Sequence, residues 1–365
     1  MTTRTLFTVT CTFLLALGGL RAAAEVGETT TVYTSGTEGY HTFRIPALLA
    51  TPNYTLAFAE GRVAGGGDSG DIDLVLKRST DGGATWSDLS VVVHQKGYTC
   101  GNPAPVWDRE TGEVLLLLTK NPADAHERDI LTGEDPPRTV WITRSSDEGA
   151  TWSTPEDISA STRREGWRWY ATGPCHGIQL QSGRLVIPAN HSTSPDHKDW
   201  FSHVIYSDDH GKTWQIGGVH QGYTNESTVA ELADGRVYQN MRSYKKENRR
   251  RVSYSKDGGL TWSEDKTDDT LMEPICQASV LAHNPTGSEE PVLLFSNPAS
   301  IKRERMTLRL SQDGGVTWPT SWLLYEGPSA YSDLAPLPDG SVGCLYERGE
   351  QGAYETIVLT RVNVG

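Results

Sequence analysis

The sequence has too little positive charge for a general nucleic-acid or anionic-membrane role. Its 365 residues include 33 lysines and arginines against 46 aspartates and glutamates, a formal net charge of −13. Binding to nucleic acid or to an acidic lipid surface needs a basic face. We therefore expect no nucleic-acid partner. A small anionic ligand stays open, because a local group of arginines can oppose the global charge.

Cysteine is scarce, and the spacings typical of zinc sites are missing. The chain has five cysteines, without a Cys-x-x-Cys or a His-x-x-x-His pair, so we expect no metal and no cofactor. Beyond the N-terminal segment, Cys100, Cys175, Cys276 and Cys344 remain. They allow three disulfide pairings, and buried free thiols are an equally good interpretation.

A long apolar run occurs only at the N-terminus. Arg4 precedes the apolar residues 6–20, and three alanines follow at 22–24, the order of a secretory signal peptide. A run of this length is short for a membrane span. We expect residues 1–24 to be a cleaved signal peptide and residues 25–365 to be one exported domain, secreted or periplasmic, without stable membrane insertion.

One eight-residue pattern, S-x-D-x-G-x-T-W, is present five times. The copies begin 66, 62, 48 and 56 residues apart and lie at 79–86, 145–152, 207–214, 255–262 and 311–318. In each copy the aspartate can accept hydrogen bonds from turn N–H groups, and the glycine tolerates a positive φ. Strand-like residues precede every copy. The pattern therefore predicts one type of hairpin turn, used five times.

The spacing of these turns predicts the fold class. About 50–65 residues per copy fit one four-stranded propeller blade, and about 340 residues allow about six blades. A sustained 3.6-residue apolar period is absent, which disfavours helical packing. We expect an all-β fold, a six-bladed β-propeller of four-stranded antiparallel blades. The repeated turns would lie at its periphery, where their acids are structural.

The repeat and several short motifs together resemble the sialidase (neuraminidase) family. The repeat is similar to that family's Asp box, and 43–46, Phe-Arg-Ile-Pro, matches its F/Y-R-I-P motif. Further matches follow in order along nearly the whole chain, at 61–62, 68–72, 225–227, 240–242, 330–333 and 345–347. Asp boxes also occur in non-catalytic propellers, so the specificity lies in the complete ordered set. The resemblance implies a retaining exo-α-sialidase with Asp-box turns.

The substrate that the resemblance implies, a terminal sialic acid, has a carboxylate on its anomeric carbon. Arginine suits this group because its planar fork pairs a carboxylate in two places and stays charged. By resemblance, Arg44, Arg242 and Arg303 bind the carboxylate, and Glu347 pairs with Arg44. Arg305 is a rival to Arg303. We prefer Arg303 because the family places its arginine three residues before the apolar residue that opens the next strand.

Cleaving the glycosidic bond requires a proton for the leaving oxygen. The resemblance implies that Asp68, in a glycine-rich loop, is the acid/base, with Asp71 and Asp73 as competitors in the same stretch. Arg62 and Asn102 are candidates for contacts with the sugar hydroxyls.

The nucleophile that the resemblance implies is Tyr331, with Glu226 as the base that takes its proton. Sialidases use tyrosine where most retaining glycosidases use a carboxylate. An anionic nucleophile would be repelled by the substrate's carboxylate, whereas a phenol is neutral. Its ordinary pKa near 10 makes it weak without an adjacent base.

Other functions on the same scaffold stay open. A trans-sialidase or a hydrolase of deaminated sialic acid would use a similar site, and a non-catalytic propeller could bind glycans. The presence of the whole residue set favours catalysis. We expect sialylated glycans as partners, from glycoproteins, glycolipids or oligosaccharides, and a monomeric protein.

Overall fold

The computed structural model describes residues 25–285 and 291–364, and these form an all-β structure with two short helices. The helices are α1 (Glu127–Thr132) and α2 (Ser159–Thr162), and a 3₁₀ turn spans His197–Asp199. Neither described helix is long and apolar enough to cross a bilayer. The signal peptide predicted for residues 1–24 lies outside the described residues.

The strands follow one another along the chain with short connections. They are β1 (Glu25–Thr34), β2 (Thr42–Ala50), β3 (Thr55–Arg62), β4 (Ile72–Ser79), β5 (Ser90–Val93), β6 (Tyr98–Asp108), β7 (Glu113–Pro122), β8 (Thr139–Ser145), β9 (Glu156–Asp157), β10 (Trp169–Thr172), β11 (Ile178–Gln179), β12 (Leu185–Ser192), β13 (Trp200–Ser207), β14 (Gln215–Val219), β15 (Thr224–Glu231), β16 (Val237–Ser243), β17 (Arg249–Ser255), β18 (Lys266–Met272), β19 (Ser279–His283), β20 (Val292–Pro298), β21 (Glu304–Ser311), β22 (Thr320–Pro336), β23 (Val342–Arg348) and β24 (Thr356–Asn363).

Strand pairing divides the structure into successive antiparallel sets of four strands, except that the third set has five. β2–β3–β4–β5 and β6–β7–β8–β9 are joined by one parallel bridge between Ile72 and Thr99. β10 and β11 both pair with β12, which continues through β13 to β14, and β15–β16–β17–β18 form a separate sheet. The long β22 belongs to two sets, β19–β20–β21–β22 and β22–β23–β24–β1. The all-β prediction is confirmed, as is the prediction of four-stranded antiparallel units.

Apolar side chains pack between neighbouring sets. Each successive pair of sets shares a cluster of buried leucine, valine, isoleucine and aromatic residues. One further cluster joins the last set to the first, through Leu345 and Leu359 on one side and Leu48 on the other. Because both faces of the sets are covered, inner strands such as β3 and β12 are buried at every residue.

The five repeated turns connect the third and fourth strands of the first five sets. In the copy at 255–262, the Asp257 carboxylate accepts the Thr261 N–H at 2.9 Å and the Thr261 hydroxyl at 2.6 Å. The Ser255 hydroxyl donates to Asp257 at 2.7 Å and accepts the Gly259 N–H at 2.8 Å. Gly259 has φ +92°, which a side chain would strain. The last set lacks such a turn because its fourth strand, β1, comes from the N-terminal part of the described chain.

Candidate active site

A cavity of about 150 Å³ opens beside the first strands of the sets, and polar side chains line most of it. The structure brings together eight of the nine residues proposed from the sequence in its wall. These are Arg44, Arg62, Asp68, Asn102, Glu226, Arg242, Arg303 and Tyr331. The ninth, Glu347, is fully buried beside Arg44.

Irregularities in strand pairing direct several of these side chains. The register shifts between Arg44 and Ala47 on β2, and the residue inside this bulge, Ile45, has φ +58°. Equivalent shifts on β6, β15 and β22 enclose Asn102, Glu226 and Tyr331. A bulge bends a strand and changes the direction of its side chains. The first strands of four different sets therefore use the same backbone device to present cavity residues.

Tyr331 and Glu226 are in direct contact. The Tyr331 hydroxyl donates to Glu226 Oε1 at 2.6 Å, although the two residues are 105 positions apart. Arg242 Nη1 lies 2.6 Å from Glu226 Oε2 and 3.3 Å from the Tyr331 oxygen. Burial, together with the nearby Glu226 carboxylate, raises the pKa of Tyr331 well above its ordinary value. The resting phenol is thus neutral, with a base and a cation beside it.

Arg44 is held from behind by Glu347. The guanidinium donates to the two carboxylate oxygens at 3.1 and 3.3 Å. The same carboxylate accepts the backbone N–H groups of Ile45 at 2.9 Å and Tyr331 at 3.0 Å. A buried carboxylate with four donors is well compensated for its loss of water. Glu347 therefore fixes both Arg44 and the backbone of Tyr331.

Asp68 lies across the cavity on the loop between β3 and β4. Its carboxylate is 64% exposed, 2.9 Å from Arg62 Nη2 and 3.5 Å from Arg44 Nη1. Partial burial opposes ionisation of Asp68, but Arg62 and Arg44 outweigh it and lower the pKa of the carboxyl. Asp68 is therefore an anion that contacts two arginines of the cavity wall.

The rivals that the sequence left open lie elsewhere. Arg305 is exposed and pairs with Glu326, whereas Arg303 lines the cavity. Asp73 is buried on β4, where its carboxylate accepts from the Tyr40 hydroxyl at 2.8 Å and lies 2.7 Å from His94 Nδ1. Neither Asp71 nor Asp73 is among the cavity-lining residues of the described chain.

Arg62 and Asn102 line the cavity but are bound to protein partners. Arg62 donates to Glu60 at 2.7 Å and to the carbonyls of the loop that carries Asp68. The Asn102 side-chain oxygen accepts from Arg138 at 2.9 Å, and the Asn102 backbone N–H donates to Glu60 at 2.8 Å. This arrangement favours a supporting position beneath Asp68, with less freedom to contact a sugar.

Other residues line the cavity that the sequence did not predict as site residues. Arg138 is 2% exposed, packs over the Trp169 ring at 4.2 Å, and has its pKa lowered to about 10 mainly by burial. Glu127, at the start of α1, has a raised pKa because of burial and the nearby Asp68. Trp200 and Tyr244 complete the aromatic side. These residues lie in no repeated motif, so only the folded structure shows that they line the cavity.

The four cysteines among the described residues are buried free thiols. Cys100, Cys175, Cys276 and Cys344 are each at most 1% exposed, and none of them forms a disulfide. Of the two interpretations left open by the sequence, the structure has free thiols.

Comparisons with known proteins agree with the geometry. The chain matches the BNR repeat-like domain over residues 54–344. It is 36% identical over 338 residues to the sialidase of Micromonospora viridifaciens, covering 86% of this chain and 51% of that protein. It is 31% identical over 361 residues to the exo-alpha-sialidase of Arthroderma benhamiae, covering 89% and 84%.

A solved structure extends the match. The Hadza microbial sialidase Hz136 superposes with a TM-score of 0.83 at 29% identity, over 92% of this chain and 68% of that one. The chain thus spans about half of the Micromonospora protein but most of the Arthroderma protein. The resemblance inferred from the motifs is confirmed by these matches over most of the sequence, and the chain belongs to the sialidase family.

Proposed function

We propose that this protein is a retaining exo-α-sialidase that hydrolyses terminal sialic acid from glycans through a covalent sialyl-tyrosine intermediate. The observation that carries the proposal is the 2.6 Å hydrogen bond from the buried Tyr331 hydroxyl to Glu226, inside a cavity lined by arginines. A neutral nucleophile with its base in place suits an anomeric carbon that bears a negative charge.

In the proposed binding step, the substrate's carboxylate lies among Arg44, Arg242 and Arg303. All three line the same cavity, and Glu347 and Glu226 hold two of them by ion pairs. Paired arginines are fixed in direction, so little side-chain entropy is lost when a carboxylate binds.

In the first chemical step, the Tyr331 oxygen attacks the anomeric carbon while its proton passes to Glu226. The bond to the leaving oxygen breaks, and Asp68 supplies the proton that this oxygen needs. Arg242, 3.3 Å from the phenol oxygen, would stabilise negative charge as it develops there. In the second step, Asp68 takes a proton from water, which attacks the anomeric carbon. The bond to the Tyr331 oxygen breaks, and Glu226 returns its proton to that oxygen. Two inversions give net retention.

The acid role of Asp68 follows from competition for Arg44. Arg62 and Arg44 keep the pKa of Asp68 low. A bound carboxylate would compete for Arg44 and weaken that interaction, which favours the protonated form of Asp68. Substrate binding would then prepare its own general acid.

The finer predictions on architecture and location belong to the same proposal. We take the four-stranded sets as six blades of a propeller, closed by β1 in the last blade. The apolar cluster that joins the last set to the first supports this closure. Export through a signal peptide at residues 1–24 and a monomeric state complete the proposal.

A fluorogenic α-sialoside tests the function directly. We expect release of the fluorophore, inhibition by a dehydrated sialic acid analogue, and a first product with the α configuration in proton NMR. Lactose as acceptor separates hydrolysis from transfer, and a deaminated sialoside separates the two hydrolases. Binding of sialosides without release would leave a glycan-binding protein and refute the proposal.

A further inference from the structure

Tyr354 lies between two of the cavity's arginines, although the sequence argument gave it no role. Its hydroxyl accepts a hydrogen bond from Arg303 Nη1 at 2.6 Å. Its ring packs against the Arg44 guanidinium, whose central carbon lies 4.0 Å from the ring centroid. One side chain thus contacts two cations, more closely than the Tyr331 ring, whose centroid lies 5.1 Å from the central carbon of Arg44 and 5.6 Å from that of Arg303.

The loop between β23 and β24 that carries Tyr354 is firmly held. The Glu355 carboxylate accepts the backbone N–H groups of Glu350, Gln351 and Gly352 at 2.7–3.0 Å. The Ser35 hydroxyl donates to the Tyr354 carbonyl at 2.8 Å and accepts the N–H of Phe43, the residue before Arg44, at 3.1 Å. The position of Tyr354 is therefore coupled to that of Arg44 through the backbone as well.

The three arginines differ in what neutralises them. Arg44 pairs with Glu347 and Arg242 with Glu226. Within 25–285 and 291–364, no ion pair is formed by Arg303, and its side-chain hydrogen bond goes to the Tyr354 phenol. A phenol can orient a guanidinium without cancelling its charge, whereas a carboxylate would compete with an anionic ligand.

We propose that Tyr354 is a positioning residue for carboxylate recognition: it orients Arg303 with its charge unneutralised and supports Arg44 through its ring. This inference rests on the proposed function, because the anion is the sialic acid carboxylate. Tyr354 acts through the two arginines and takes no part in bond breaking. Its contribution should therefore concern binding of the charged group more than the chemical step.

Replacement of one atom tests the hydroxyl. Tyr354→Phe keeps the ring beneath Arg44 but removes the acceptor for Arg303. We expect about 10-fold weaker binding of the dehydrated sialic acid analogue by calorimetry, a size typical of one hydrogen bond to a charged group. With the sialoside substrate, KM should rise by a similar factor while kcat changes by less than about threefold. Tyr354→Leu, which also removes the ring, should weaken binding by about 100-fold.

A neutral ligand distinguishes positioning from general damage. The carboxamide of the same analogue should lose little affinity on Tyr354→Phe, because it presents no anion to Arg303. Tyr325→Phe is the matched control, since its hydroxyl donates to the Gly349 carbonyl of the same loop at 2.8 Å, and the arginine that packs against its ring is Arg348, which does not line the cavity. We expect it to leave affinity and KM unchanged, even though it also removes one hydrogen bond.

Coupling to Arg303 gives a second and independent measurement. In an Arg303→Ala background, Tyr354→Phe should cause almost no further loss of affinity, because the two residues act through one contact. Additive losses, equal losses for carboxylate and carboxamide, or an unchanged affinity of Tyr354→Phe would each overturn the inference. Wild-type protein that neither binds nor cleaves sialosides would instead refute the proposed function.

Discussion

The repeated turns and the cavity both depend on aspartates with lowered pKa values, but they obtain them differently. In the turn at 79–86, the Thr85 hydroxyl and N–H are the main cause, and the pKa of Asp81 falls to about 2. Asp68 in the cavity depends on Arg62 and Arg44, against the effect of burial. The hydrogen bonds of each turn join residues within one eight-residue segment, whereas the cavity forms only when strands distant in sequence pack together. Substitutions should therefore separate stability from activity between the two regions.

The largest expected effect is at the cavity's nucleophile. Tyr331→Phe should lower kcat for a fluorogenic sialoside by on the order of 10³-fold or more, because the attacking oxygen is gone while the buried ring remains. With wild-type protein, a fluorinated sialosyl fluoride should trap the intermediate, and peptide mass spectrometry should locate the sugar on Tyr331. Label on Glu226 would reverse the proposed roles.

The next effect depends on the leaving group. Asp68→Ala should slow cleavage of sialyllactose by about 10²–10⁴-fold, since its leaving oxygen needs a proton. An activated aryl sialoside should suffer far less. Kinetics on both substrates measure the difference, and equal losses would assign the acid elsewhere. Asp71→Ala is the control and should preserve the ratio of the two rates.

Replacement of Arg303 should weaken ligand binding strongly, whereas replacement of Arg305 should hardly change it. Arg303→Ala should weaken binding of the dehydrated analogue by about 2–3 kcal/mol, as expected for charge-assisted hydrogen bonds. Its removal leaves no carboxylate without an ion-pair partner in the described chain, so folding should be little affected. Arg305→Ala removes an exposed pair with Glu326 and should change affinity by less than about 0.5 kcal/mol. Calorimetry on both variants would reveal an exchange of roles.

As the pH falls, the buried histidines should lower the stability of the folded protein before the aspartates of the repeated turns do. Burial, with a smaller effect of Arg164, lowers the pKa of His191 to about 3, and that of His203 lies well below its ordinary value. An unfolded histidine binds its proton near pH 6.5, so stability is full above that pH and is lost as the pH falls towards 3. The slope is up to about 1.4 kcal/mol per pH unit for each histidine.

Urea unfolding at pH 7, 6 and 5 measures this loss. His191 stacks on Trp167 at 3.4 Å, so His191→Phe keeps an aromatic contact while removing the proton site. We expect a shallower pH dependence for the variant. An unchanged slope would mean that other groups cause the acid sensitivity.

The smallest effect belongs to the repeats. Asp257→Ala removes the acceptor for Thr261 and should cost about 1–2 kcal/mol of unfolding free energy, with kcat/KM unchanged. Asp269, an exposed aspartate outside the repeats, supplies the control variant Asp269→Ala. A large loss of activity in Asp257→Ala would place function in the turns and remove the contrast between the regions.

What the sequence could predict follows the same division. The repeated turns predict a strand before each copy, and the structure has one directly before every turn, as with β13 (Trp200–Ser207) before the copy at 207–214. Such turns can be recognised from the sequence because their hydrogen bonds join residues only a few positions apart. The two short helices escaped notice because neither is long enough to establish a period.

The cavity was predicted only through resemblance to a family. No local property distinguishes Arg303 from Arg305, or Tyr331 from the other tyrosines. Tyr354 and Arg138 were missed altogether because their importance lies in contacts with residues far along the chain. Four bulges that aim cavity residues also left no readable signal, since a bulge depends on the partner strand.

The pairing of β1 with β24 makes the order of synthesis matter. Thr29 and Thr360, whose hydroxyls lie 2.7 Å apart, are separated by 331 positions. At roughly 5–20 residues per second, β1 leaves the ribosome about 20–60 s before its partner exists. The residues of β1 are mostly polar and exposed even when paired, so the unpaired strand offers little apolar surface for aggregation. The last set can therefore form late in synthesis, because β1 has little tendency to aggregate while it is unpaired.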